Sequence, residues 1–415
     1  MQTFQYINGL LCAEAVPLIE IEKKYGSPCY VYSRAAIETQ WLSYATAFDN
    51  IPHLICYSVK ANGNLAILNL LARLGSGFDI VSIGELKRVI KAGGDPTKIV
   101  FSGVGKRADE IQAALEAGVK CLNVESESEL HMIDSVAIMM GVKAPISVRV
   151  NPDIDVGTHP YISTGLKESK FGISYGDAED IYIKAAALGG IEVVGVDFHI
   201  GSQITQLEPY KDSLKRVMQL VQNLSDRGIT IRYIDIGGGL GITYQSEEPP
   251  QPAEFVKSIC SIIGESPLEI LIEPGRSVVG NAGVLLSKVL YLKESEGNRF
   301  AIIDSAMNDL IRPALYGAWQ DILPVKQEVD AKAAKYNIVG PVCESGDFLG
   351  LNRTLSIDEG DLLVIMGAGA YGFCMSSNYN ARPRVAEVMV DNEEIYEIRR
   401  RESIEDLYQG EFLLP

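Results

Sequence analysis

Between about residues 50 and 275 the chain repeats one unit eight times, a short β-branched apolar run followed by a stretch of helical periodicity. The runs are LICYSVK (54–60), GFDIVS (77–82), KIVFSG (98–103), CLNVES (121–126), ISVRVN (146–151), VVGVDFHIG (193–201), IRYIDIGGG (231–239) and LEILIEPG (268–275). Amphipathic stretches such as 83–92, 108–117 and 210–227 lie between them. Strand and helix in strict alternation predict a parallel sheet covered by helices. Eight units favour closure into a (β/α)8 barrel, with an open doubly wound sheet as the alternative.

The residues that interrupt these apolar runs gather at their ends: Lys60, Asp79, Arg149, His199, Gly237 to Gly239, and Glu273 to Arg276. In a closed barrel those ends share one rim, and active sites form on that rim. After about residue 283 the texture changes to strands without long helices between them, in VLLSKVLYLKE, RFAIID, YNIVGPVCE, DLLVIMGAGAY and RVAEVMVD. This reads as an antiparallel β domain, a small sandwich or barrel, joined by the strand-and-turn pattern of the first 27 residues. The expected division is therefore a barrel over 28–283, with 1–27 and 284–415 forming the β domain.

Composition narrows the partners. A net charge of -17 argues against nucleic acid and anionic membrane, which attract basic faces. Seven cysteines without a CxxC pair fit a reducing compartment. The opening MQTFQYINGL has no basic stretch before an apolar one, and no run of about 18 apolar residues occurs, so a cytoplasmic protein is expected.

IDIGGGLG (234–241) runs a strand into consecutive glycines. Such a turn lets backbone N–H groups approach an anion, and a helix N-terminus beyond it would add a favourable dipole. A plain tight turn is the alternative, but the loops after strands seven and eight are the usual phosphate site of a barrel. The spacing fits neither GxGxxG nor a Walker loop. A lysine on the same rim, Lys60, points to pyridoxal phosphate, whose aldehyde forms a Schiff base with an amine. Glu273 is then the candidate partner of the pyridinium nitrogen. His199 is a candidate to stack on the ring, with an ordinary buried histidine as its plainer reading. No metal site is expected.

Taken together, YSVKAN, HIGSQ, DIGGGLG, EPGR, CESGD and GAGAY resemble the barrel-type (fold type III) pyridoxal-phosphate decarboxylases, in order over nearly the whole chain. EPGRSVVGNAG and CESGDFLG are similar to the branch that converts meso-2,6-diaminopimelate to L-lysine and carbon dioxide. The resemblance implies a homodimer with shared active sites, each completed by the β domain. It implies Lys60 as the Schiff-base residue, His199 on the ring, and Glu273 at the ring nitrogen. Ser202, Gly238, Gly239, Pro274, Gly275 and Arg276 correspond to the other cofactor-binding positions. Tyr371 is similar to a tyrosine that reaches both cofactor and substrate. Arg276, Arg312, Tyr316 and Glu344 correspond to substrate binders, and Cys343 to a catalytic thiol supplied with Glu344 by the partner subunit. Arginines suit a distal carboxylate, and Glu344 suits the distal ammonium. The alternatives are a decarboxylase of ornithine, arginine or carboxynorspermidine, an amino-acid racemase, and a non-catalytic regulator of such an enzyme.

Overall fold

The computed structural model describes residues 3–154, 170–327 and 333–415. The chain divides into two compact units, one of Gln40–Ile242 with Glu248–Ser277, the other of Met1–Thr39, Thr243–Glu247 and Val278–Pro415.

The first unit is a closed parallel barrel. Its strands are β1 (His53–Ser58), β2 (Gly77–Ile80), β3 (Ile99–Phe101), β4 (Cys121–Val124), β5 (Ala144–Asn151), β6 (Ile191–Asp197), β7 (Tyr233–Asp235) and β8 (Glu269–Ile272). They pair in chain order, and β8 returns to β1 with Ile270 opposite His53 and Ile272 opposite Ile55. A helix follows each strand: α1 (Leu65–Arg73), α2 (Ile83–Lys91), α3 (Ala108–Ala117), α4 (Glu127–Met140), α5 (Tyr175–Ala187), α6 (Glu208–Asp226), α7 (Pro252–Ile263) and the single turn α8 (Arg276–Val279). Side-chain oxygens at the strand-to-helix junctions start several of them, with Asn64, Ser82 and Ser126 accepting from backbone N–H groups of the first turn.

The strands are apolar nearly throughout because both faces are covered. Inside the ring Leu54, Cys56, Val100, Cys121, Val194, Tyr233 and Leu271 pack as one cluster. Toward the strand C-termini the buried residues become polar: Ser58, Asp79, Asn123, Ser147, Asp197, Asp235 and Glu273 are all at most 5% exposed. That change of lining places the chemistry at one end of the barrel.

The second unit is a mixed sheet. The order is Phe348–Leu355, Ala334–Val339, Asn298–Ile303, Gly283–Ser295, Cys29–Ser33, Ala386–Asp391 and Glu394–Arg399, with Leu362–Ile365 pairing both Gly283–Ser295 and Ile322–Pro324. Most pairs are antiparallel, as the sequence pattern predicts. Two are parallel, Cys29–Ser33 with Ala386–Asp391 and Asn298–Ile303 with Ala334–Val339. CYVYS, which sequence reading set at the start of the barrel segment, is thus a strand of this sheet. A small antiparallel sheet of Phe4–Ile7, Leu10–Ala13 and Val16–Pro17 shares its core, where Leu11, Leu18 and Ile21 meet Val31, Leu286, Val364 and Val388. No helix among the described residues is long and apolar enough to cross a membrane.

Candidate active site

β1 stops at Ser58, one turn of 3-10 helix covers Val59–Ala61, and Lys60 rides on that turn. The turn is braced by the Tyr57 hydroxyl, which donates to Asn62 O at 3.0 Å, and by Asn64 N–H, which donates to Asn62 Oδ1 at 3.1 Å. The Lys60 ammonium lies 2.7 Å from Oδ2 of Asp79, a fully buried carboxylate at the end of β2. Ser58 Oγ is 2.9 Å from the same oxygen. Strand pairing sets this contact, since Ser58 stands opposite Asp79 in the register.

Beneath the rim, Asp197 (β6), Asp235 (β7) and Glu273 (just past β8) bring carboxylate oxygens within 4.8 Å of one another, all buried. Water is excluded there, so ionising one carboxyl is opposed first by burial and then by its neighbours. Burial pushes Glu273 well above the ordinary carboxylate range, with Asp79, Asp235 and Asp197 adding to the shift and Lys60 opposing it. Asp197 is also raised, and Asp235 is pushed up to about 7. A buried polar chain continues across the barrel: Ser102 Oγ lies 3.5 Å from Glu273 Oε1, Asn123 Nδ2 donates to Ser102 Oγ at 3.0 Å, and Ser147 Oγ donates to Asn123 Oδ1 at 2.6 Å.

His199 sits two residues past β6. Burial lowers its pKa well below the usual histidine range, and the positive charges of Arg149 and Lys60 push the same way. Its Nδ1 accepts from Gly238 N–H at 3.2 Å, which fixes a neutral ring carrying its proton on Nε2. Arg149 is held by Glu125, with Nη1 3.0 Å from Oε1, and stacks on Phe171 at 4.9 Å.

The glycine turn lies against strand ends on both sides. Gly237 O accepts from Glu273 N–H at 2.8 Å, and a Cβ on Gly238 would sit 2.0 Å from Glu273 O, so no side chain is tolerated there. Two of its N–H groups are engaged inside the barrel, Gly237 with Asp235 Oδ1 and Gly238 with His199 Nδ1. The chain does not enter a helix beyond the turn. Proline-rich loop intervenes, and α7 begins only at Pro252. The expected dipole is therefore not at this turn. Pro274 O accepts from Ser58 N–H at 3.0 Å, tying the EPG segment to the end of β1. Arg276 is buried and its Nη2 donates to Ser202 Oγ at 3.0 Å.

Five of the predicted positions belong to the second unit. Arg312 is buried at the start of the short helix Arg312–Tyr316, with its guanidinium 4.5 Å from the Tyr244 ring centroid. Tyr316 ends that helix. Tyr371 follows Leu362–Ile365 with φ 55, an uncommon conformation for an aromatic residue. Cys343 and Glu344 are exposed on a loop. Asp347 holds that loop, accepting from Met307 N–H at 2.6 Å and Val342 N–H at 2.9 Å, and Cys343 N–H donates to Asn380 Oδ1 at 2.7 Å.

Sequence reading marked Asp79 and Arg149 as rim residues but gave neither a partner. It missed Asp197, Asp235, Ser102, Asn123 and Asp347. The available signal was an acidic or amide residue inside an otherwise apolar run, as in VDF, YIDI and LNV.

Residues 34–280 match the model of the pyridoxal-dependent decarboxylase, pyridoxal binding domain family. The whole chain is 57% identical to the whole of the diaminopimelate decarboxylase of Pseudomonas aeruginosa. The chain belongs to the diaminopimelate decarboxylases. Among solved members of that family, the Helicobacter pylori enzyme complexed with L-lysine is 43% identical, with a TM-score of 0.92 over 94% of this chain and 98% of that one. The M. jannaschii enzyme in co-complex with L-lysine is 37% identical, with a TM-score of 0.94 over 100% of this chain and 98% of that one.

Proposed function

We infer that the chain removes one carboxyl group of meso-2,6-diaminopimelate as carbon dioxide and leaves L-lysine, the last step of lysine biosynthesis. The observation that carries this is the conjunction, on one barrel rim, of a lysine ammonium, an imidazole of lowered proton affinity that accepts a backbone N–H at Nδ1, and a buried carboxyl whose proton affinity is raised by burial and acidic neighbours. These groups fit pyridoxal phosphate, and the glycine turn beside them admits no side chain. When bound, that cofactor supplies a sink for the electron pair left at Cα as carbon dioxide departs.

Lys60 would hold the cofactor through its aldehyde carbon, and Asp79 orients the Lys60 ammonium. Glu273 would pass its proton to the ring nitrogen and, as the carboxylate then left, would accept the N–H hydrogen bond that keeps the nitrogen cationic. His199, whose proton affinity is lowered by burial, would flank the ring without adding a repelling charge. Ser202, Gly238, Gly239, Gly275 and Arg276 are assigned to the phosphate, with Pro274 shaping their turn. Tyr371 is assigned to cofactor and substrate. Arg276, Arg312 and Tyr316 grip substrate carboxylate, and Glu344 pairs with the distal ammonium. Cys343 gives the thiol proton to Cα and regains it from solvent. Exposure of Cys343 and Glu344 supports a role across a homodimer interface, where two-fold symmetry builds two identical shared sites. A net charge of -17 and reduced cysteines support residence in the cytoplasm.

The test is carbon dioxide release from purified protein and pyridoxal phosphate, offered meso-diaminopimelate, ornithine, arginine or carboxynorspermidine. Release from diaminopimelate is expected. Preferred release from any of the other three overturns the substrate assignment.

A further inference from the structure

The loop that leaves the glycine turn carries a residue that no motif singled out. Its segment Thr243–Glu247 is grouped with the sheet unit rather than with the barrel from which it issues. Glu247 folds it back on itself: Oε2 accepts from Tyr244 N–H at 2.9 Å and Gln245 N–H at 2.8 Å, and Thr243 Oγ1 donates to Glu247 O at 2.8 Å. Tyr244 is held at 9% exposure, and its ring has two close neighbours. One is the Arg312 guanidinium, 4.5 Å from the ring centroid. The other is Gly367, the first residue of GAGAY, where a Cβ would lie 3.2 Å from Tyr244 Cδ1 and Cε1 on a backbone at φ +63. Gly367 is therefore matched to the ring in both conformation and space.

We propose that Tyr244 is a positioning residue that sets the substrate specificity of this decarboxylase by holding the guanidinium of Arg312 face-on. A guanidinium presents its flat face to an aromatic ring and its edge to a carboxylate, so the two contacts do not compete. Fixing the plane from behind leaves fewer orientations to lose when a carboxylate is gripped. The inference rests on the assignment of Arg312 to the carboxylate that the substrate keeps. L-lysine, which retains that carboxylate, is a direct probe of the contact.

The experiment titrates holoenzyme with L-lysine by calorimetry, alongside steady-state kinetics on meso-diaminopimelate. Tyr244→Leu is expected to raise both the Kd for L-lysine and KM by about 3- to 30-fold, the range of a desolvated cation–π contact, with kcat little changed. Tyr244→Phe keeps the ring and is expected to restore most of that affinity. In an Arg312→Ala background, Tyr244→Leu is expected to cost nothing further. Tyr244→Met serves as the second truncation if the leucine variant does not fold, with the thermal midpoint as the check. Weakened L-lysine binding in Arg312→Ala with unchanged binding in the Tyr244 truncation overturns the role of Tyr244. Loss in Tyr244→Phe equal to that in the truncation also overturns it, because the face would then not be what matters. Unchanged L-lysine binding in Arg312→Ala instead overturns the assignment of Arg312 itself, and this inference with it.

Discussion

In the barrel unit every candidate side chain leaves the end of a strand or the first residues beyond it. In the sheet unit the candidates stand on loops and one short helix. Asp79, Asp235 and Glu273 are set by the strands and closed in by their neighbours, so their charges act through a medium that screens little, while the partly exposed Lys60 ammonium pairs with Asp79. Cys343 and Glu344 are exposed, and their loop is held by the Asp347 carboxylate and by Asn380 Oδ1. The difference teaches where each kind of work can be done. Shifting a proton affinity requires burial, whereas reaching a variable ligand or a second subunit requires a side chain that projects.

The largest expected effect divides the units most sharply. Lys60→Ala and Cys343→Ala should each abolish turnover, but borohydride should still fix the cofactor to the peptide containing Lys60 in the cysteine variant alone. Mixed under conditions that exchange subunits, the two inactive proteins should regain activity, since a hybrid dimer holds one site with both residues intact. Exchange confirmed by mass without returning activity would show that the thiol does not cross between subunits.

Glu273→Gln comes next. It should lower kcat by roughly the 10² to 10³-fold that a lost electrostatic stabiliser costs, while cofactor affinity changes little. An equally active glutamine variant would remove the barrel's claim to tune the ring nitrogen.

Asp235→Asn is a milder probe of the same cluster. Asp235 helps raise Glu273, so its replacement should move the alkaline limb of the kcat profile to lower pH. Stability has a definite sign as well. Asp235 titrates at about 7 in the folded chain, above its ordinary value. Its contribution is therefore full at acid pH and lost as pH rises through that value. The thermal midpoint of cofactor-free protein should fall between about pH 4 and 7, less steeply in Asp235→Asn than in the parent. Identical slopes would mean that the cluster does not ionise in that window.

The smallest effect belongs to the sheet unit. Asp347→Ala leaves two amide N–H groups without their carboxylate, worth about 1–3 kcal/mol each. Thermal stability should drop and KM rise, with the pH profile unmoved. A displaced pH profile would contradict the separation between the two regions.

How much of this was legible in the sequence follows from the same contrast. Parallel strands buried on both faces read as apolar runs, so all eight were visible, and a polar residue ending such a run stood out, as Lys60, His199 and Glu273 did. The ends were less legible. Residues 231–239 read as one strand, yet pairing covers only Tyr233–Asp235 because the glycine turn bends the chain away. In the sheet unit, Phe348–Leu355 and Glu394–Arg399 were missed, since glycine, asparagine and charged residues break their pattern. Cys29–Ser33 fell inside the expected barrel segment of 28–283, because its partners in the sheet lie more than 250 residues away. Cys343, Arg312 and Tyr371 were found through motif resemblance, because a loop leaves no periodicity to read. Tyr244 has neither a motif nor a period, and only the ring contact reveals it.

The closure of β8 onto β1 has a consequence for how the chain is made. Until about residue 272 has emerged from the ribosome, β1 has no partner on one side, and the growing barrel carries two open edges of the kind that recruit other chains. The sheet unit waits longer still, because Cys29–Ser33 needs Ala386–Asp391 beside it. A chain stopped near residue 300 should therefore hold a closed barrel behind an N-terminal arm that lacks this neighbour. Synthesis interrupted before β8 should instead yield a product that aggregates through its edges.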